Sequence, residues 1–113
     1  MESIPSEKII QQIYNIILER KKSSPENSYV SSLINKGTNS ILKKIGEESA
    51  EIIIASKDEN IEEQIHEIAD LWFHLLVLMV NQGISLEKIL QELKNRFGKS
   101  GLQEKAERQE LNN

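Results

Sequence analysis

The chain has 113 residues, a formal net charge of −4 and no cysteine, which bounds a single domain over 1–113 with one modest core. It offers nothing to nucleic acid or an anionic membrane surface, and it excludes disulfides, thiolate zinc sites and a cysteine nucleophile. Met1-Glu2-Ser3-Ile4-Pro5 lacks the basic start and apolar run of a signal peptide. The most apolar stretch, Leu71 to Val80, is interrupted by His74 and is about half the length that spans a bilayer, so a cytoplasmic protein is expected.

Only two prolines and few β-branched alternations leave almost no room for strands, and the expected fold is all-α. The first helix starts near Pro5 or Ser6 and carries Ile9, Ile10, Ile13, Ile16 and Ile17 at helical spacing. Ser23-Ser24-Pro25-Glu26-Asn27 reads as a loop, because proline disfavours helix at the residue before it. A short helix over roughly Ser28 to Asn35 follows, with Gly37 as its stop. Thr38 or Asn39 is placed to cap the next helix, which runs to about Lys57. Asn60 with Glu63 fits a capping box for a fourth helix that closes at Gly83. The half of that helix from Leu71 to Val80 is apolar nearly all round and demands burial on all sides. So small a domain has few helices to surround it, which points to a second copy of the chain. Ser85 caps a last helix bearing Leu86, Ile89, Leu90, Leu93 and Phe97, ended by Gly98. The remainder, 99–113, reads as a polar C-terminal tail in which Leu102 alone is apt to dock.

Two acidic stretches stand out. In Lys43-Lys44-Ile45-Gly46-Glu47-Glu48-Ser49-Ala50-Glu51 the three carboxylates fall within a wedge of about 100°. Glu67 and Asp70, three apart, share a face of the following helix. If these helices pack as a hairpin, the five carboxylates converge on one volume, where without a cation they repel one another. Most such pairs are solvated faces. Here the wedge is narrow and bordered by Ala50, Ile54 and Ala55, with Ile41, Leu42, Ile45, Ile52 and Ile53 over the rest of the helix, and the matching pair directly precedes the most apolar segment.

Oxygen-only ligation selects magnesium, or manganese, over zinc and copper. Such ions on helical carboxylates fit phosphate chemistry. Lys44 shares the acidic wedge and is placed either to reach a phosphate or to pair with Glu47 or Glu48. No glycine-rich phosphate loop exists, so further phosphate-binding charge falls to scattered residues such as Arg20 and Lys57. His66 completes one Glu-x-x-His pair with Glu63, but a di-iron bundle needs two, which makes His66 a surface residue. His74, one turn beyond Asp70, is either a satisfied core histidine or a partner that orients a carboxylate from behind.

Glu-Glu-x-x-Glu at 47, 48 and 51 followed by Glu-x-x-Asp at 67 and 70 resembles the signature of the MazG-like all-α nucleoside triphosphate pyrophosphohydrolases. Within that superfamily, Ser28-Tyr29, Lys43 to Glu48, the run Asp70 to Leu78 and Ser100 to Ala106 resemble the phosphoribosyl-ATP pyrophosphatase family of histidine biosynthesis. The resemblance covers about Glu19 to Arg108. Trp72-Phe73 is a departure, standing where the family pattern has an aliphatic residue and a tyrosine. The resemblance implies hydrolysis of phosphoribosyl-ATP to phosphoribosyl-AMP and pyrophosphate with magnesium, in a homodimer whose helical hairpins pair into a four-helix bundle. It implies Glu48, Glu51, Glu67 and Asp70 as metal ligands, with Glu47 as a further ligand or the base for water, and a chain too short to carry the cyclohydrolase domain sometimes fused to this one. Two other readings stay open: a housecleaning pyrophosphatase for dUTP, dCTP or modified nucleotides, which shares the acidic cluster but not the tail, and a non-catalytic helical dimerisation module, indifferent to magnesium.

Overall fold

A computed structural model of the chain describes residues 4–98 and 101–112. Among these the elements are all helical: a 3-10 turn at Ser6–Lys8, then α1 (Ile9–Lys21), α2 (Tyr29–Lys36), α3 (Thr38–Lys57), α4 (Ile61–Gln82), α5 (Leu86–Phe97) and α6 (Gly101–Asn112). The all-α expectation holds. The chain divides into two compact units, Met1–Gly83 and Ile84–Asn113.

In the first unit, α3 and α4 form the dominant helix pair, with α1 against α4 and α2 against α3. Ile17, Val30, Ile41 and Val77 are wholly buried and, with Tyr14, Leu33, Leu76 and Val80, fill its core. Each such side chain contributes roughly 1.5–3 kcal/mol of transfer free energy.

Local chemistry sets the corners. At Ser24–Asn27 the Asn27 N–H donates to the Ser24 carbonyl at 3.0 Å, with Pro25 in the second turn position that its fixed φ suits. The Ser28 side chain accepts from the Ser31 N–H at 3.2 Å and caps α2, while Ser31 Oγ donates to the Ser23 carbonyl. Together they fix the start of α2 and the place of Tyr29. Gly37, at φ 106°, makes the corner into α3 in a region that side chains rarely enter.

Here one expectation is corrected. Neither Thr38 nor Asn39 caps α3, whose N-terminal residue makes no side-chain cap. Thr38 Oγ1 instead accepts from Asn81 Nδ2 at 2.9 Å, fastening the start of α3 to the end of α4. At the other end of the hairpin the Asn60 N–H reaches back to the Ala55 carbonyl at 2.9 Å, and Glu59 takes a left-handed φ of 56°, a Schellman-type stop. Asn60 Oδ1 then accepts from the Glu63 N–H at 3.1 Å and starts α4.

In the second unit Ser85 caps α5 as its sequence suggests, accepting from the Lys88 N–H at 3.2 Å. The polar tail is more ordered than read: Gly101–Asn112 is a helix. The docking expected of Leu102 lies outside the described side chains. The apolar stretch of α4 is not covered on all sides within one chain. Trp72 is 55% exposed, and Ile61, Ile65, Ile68 and Leu75 stand out beside it.

Candidate functional site

Three contacts set the register of the α3–α4 hairpin: Thr38 with Asn81, Glu48 with His74 and Ser56 with Gln64. An antiparallel pair in that register puts Glu51 level with Asp70. The motif residues therefore occupy one zone of the hairpin, although each points somewhere different.

Glu48 turns inward. It is buried, and its Oε1 lies 2.7 Å from His74 Nδ1. The same ring nitrogen is 3.0 Å from the Asp70 carbonyl. Both neighbours are pure acceptors, so Nδ1 must carry the proton and donate. In the neutral ring Nε2 is then an acceptor, and Tyr29 Oη, 2.8 Å away, donates to it. Tyr29, His74 and Glu48 thus form one directed chain of hydrogen bonds running from α2 through α4 to α3. Phe73 braces it, with ring centroids 6.4 Å from Tyr29 and 5.2 Å from His74. Burial pushes the Tyr29 phenol above its usual range; the carboxylates of Glu48, Asp70 and Glu47 push the same way, against Lys44.

His74 is therefore both things the sequence allowed: a buried histidine with satisfied nitrogens and a group that orients a carboxylate. The carboxylate is Glu48 across the hairpin rather than Asp70 on its own helix. Tyr29 went unassigned in the sequence because it lies 45 residues from His74; only its place in the family-like pair Ser28-Tyr29 hinted at it.

Glu67 and Asp70 do come together. With His66 they can each present one ligand atom so that all lie within 4.8 Å of one another. His66 is exposed, as read, yet its Nε2 sits 3.4 Å from Asp70 Oδ2. Glu67 is held above the usual carboxylate range by partial burial, by a hydrogen bond with Glu63 and by the nearby charges of Asp70 and Glu63, with His66 pulling the other way. A carboxyl that resists ionisation among its own kind is what a cation would relieve. No group of this spacing among the described residues includes Glu47, Glu48 or Glu51. Glu47 and Glu51 are exposed, Glu47 standing 4.0 Å from Lys43. The five-carboxylate convergence is thus realised for two residues, with a histidine as third donor. The two carboxylates of that group are oxygen donors of the kind magnesium or manganese takes, with exposed Glu51 level with Asp70 across the hairpin.

Toward the start of α3 the surface opens into a cavity of about 320 Å³ lined by Leu33, Lys36, Ser40, Lys43, Lys44 and Glu47. Lys44, singled out in the sequence, is there. Arg20 and Lys57 are not; they are exposed in the last turns of α1 and α3. Lys36 escaped the sequence reading because Gly37 breaks the helical period between it and Lys44, and Ser40, one turn before Lys44 on α3, because an uncharged serine gave no signal.

No single helix among the described residues is long and apolar enough to cross a membrane. Residues 10–97 match the family model described as phosphoribosyl-ATP pyrophosphohydrolase. The chain is 54% identical over 102 residues to the phosphoribosyl-ATP pyrophosphatase of Vesicomyosocius okutanii, covering 90% of this chain and 97% of that protein. It is 52% identical over 100 residues to that of Ruthia magnifica (88% and 95% covered) and 50% identical over 102 residues to that of Geobacter sulfurreducens (90% and 94%).

Proposed function

The chain belongs to the phosphoribosyl-ATP pyrophosphohydrolase family, and we propose that its α3–α4 hairpin carries that family's reaction. The protein is a hydrolase of a phosphoric anhydride: water adds across the α–β anhydride of phosphoribosyl-ATP, giving phosphoribosyl-AMP and pyrophosphate, an early step of histidine biosynthesis. A cytoplasmic location fits that role.

The observation that carries the site is the approach of Glu67 and Asp70 on the face of α4 next to Glu48. Glu48, Glu51, Glu67 and Asp70 would hold a magnesium or manganese ion, with His66 at its margin. Such an ion would supply charge neutralisation at phosphate oxygens and activation of water. Glu47, exposed beside Lys44 at the mouth of the cavity, is placed to accept a proton from the attacking water. Lys44 meets a phosphate oxygen as a point charge. His74 and Tyr29 fix the rotamer of Glu48, so that one carboxylate oxygen faces the ligand before it arrives.

The same reading covers assembly. Ile61, Ile65, Ile68, Trp72 and Leu75 are spaced alternately four and three apart along the exposed side of α4, the interval of a helix–helix seam. On α3, Leu42, Gly46, Ala50 and Ile53 run beside them, also exposed. A second copy of the hairpin covers both stripes and builds a four-helix core.

Pyrophosphate release from phosphoribosyl-ATP, measured beside a panel of nucleoside triphosphates, tests the assignment. Turnover of phosphoribosyl-ATP alone is expected. Turnover of ordinary or modified triphosphates in its place would move the site to a housecleaning role.

A further inference from the structure

We propose that the cavity lined by Leu33, Lys36, Ser40, Lys43, Lys44 and Glu47 is an anion pocket for a terminal phosphate of the substrate, running from the carboxylate site toward Lys36 and Ser40. The inference rests on the hydrolase reading above for the identity of the substrate, but its geometry stands apart.

Three lysines line one cavity of about 320 Å³, with Glu47 as the single carboxylate among the lining residues. Lys43 is only loosely offset by Glu47, at 4.0 Å. Lys36 and Lys44 have no ion-pair partner among the described residues. Like charges around a shared cavity repel one another, and an anion in the cavity removes that repulsion. Two net positive charges remain after Glu47 is subtracted from the three lysines, which matches a phosphate dianion. Ser40, half-buried in the lining, adds a neutral hydroxyl donor. Leu33, buried, adds an apolar side chain to the lining and lowers the local dielectric.

Ser40 lies eight residues before Glu48 on the same helix, about 12 Å along its axis at a rise of 1.5 Å per residue. Lys44 and Glu47 bring one side of the pocket up to the carboxylates, whereas its Lys36–Ser40 side is out of reach of a phosphate held there and takes a second one. Phosphoribosyl-ATP has two candidates: the far end of its triphosphate, which leaves as pyrophosphate, and the monoester phosphate of its second ribose. Either is a doubly charged terminal phosphate, the chemistry that the lysines select.

The test is calorimetric titration of the metal-free protein with inorganic pyrophosphate and with ribose 5-phosphate, repeated in Lys36→Gln, Ser40→Ala and the control Lys94→Gln, a lysine that is not among the lining residues. Binding of at least one anion is expected. Lys36→Gln should weaken it about three- to tenfold, the scale of one partly screened charge contact, and Lys94→Gln should leave it within twofold. Loss confined to pyrophosphate places the triphosphate end in the pocket; loss confined to ribose 5-phosphate places the phosphoribosyl end there. No binding of either anion, or affinities unchanged by Lys36→Gln, overturns the proposal. The readout needs no turnover, so an enzyme inactive on phosphoribosyl-ATP would overturn the substrate and leave the pocket measurable.

Discussion

Glu48 on α3 and His74 on α4 lie 2.7 Å apart in the interior of the hairpin, both buried. A buried carboxylate stripped of its partner is a large penalty, so His74→Leu should destabilise the fold by about 3 kcal/mol. Glu48→Gln keeps an acceptor for the Nδ1 proton and should stay within about 1 kcal/mol of wild type. Its turnover should nevertheless fall at least ~100-fold, since an amide oxygen is a poor substitute for a carboxylate ligand. Urea denaturation beside steady-state kinetics checks both. Equal stability losses in the two variants would contradict the arrangement.

Tyr29→Phe removes the donor to His74 Nε2 while leaving the ring on Phe73. Manganese binding followed by paramagnetic relaxation should weaken about tenfold, with melting temperature little changed because Tyr29 is half exposed. Unaltered manganese affinity would make the tyrosine a packing residue only.

The raised Glu67 carboxyl gives a signed pH dependence. Its protonated form is favoured in the folded state, so that contribution is full below the ordinary carboxylate range and is lost as pH rises through the folded value. In metal-free protein, Glu67→Gln should therefore melt higher than wild type at pH 7, by a margin that shrinks toward pH 4. A pH-independent margin would contradict the crowding of this site.

Assembly has its own variant. Trp72→Glu places a charge in the exposed stripe of α4, and sedimentation should show a dimer for wild type and a monomer for the variant. Wild type sedimenting as a monomer would remove the second copy. At the hairpin bend, Glu59 holds a left-handed φ of 56°, and Glu59→Gly should stabilise the protein by roughly 1 kcal/mol.

What could be read in the sequence is what is local. Ser28, Asn60 and Ser85 cap helices through contacts three residues away, and Gly37 and Gly83 stop helices by their own backbone freedom. Thr38 misled because its hydroxyl answers to Asn81, 43 residues away. The acidic motif marked one zone of the hairpin, but rotamers decided which side chains meet: Glu48 turned to a histidine on another helix, and Glu67 and Asp70 drew near each other beside His66. Tyr29 and the Lys36–Ser40 side of the cavity depend on how α2 lies against α3, which no periodicity encodes. Helix α6 was missed because it carries almost no apolar face; its residues are helix formers, and their polarity read as a tail.

The hairpin carboxylates are proposed to hold the ion that makes the enzyme active. Turnover of phosphoribosyl-ATP against magnesium concentration, in wild type, Asp70→Asn and Glu51→Gln, with helicity followed by circular dichroism, tests it most directly. Wild type should require magnesium, and both variants should stay helical and lose at least ~100-fold at every magnesium concentration. Full activity in either variant, or wild-type turnover without magnesium, would contradict it.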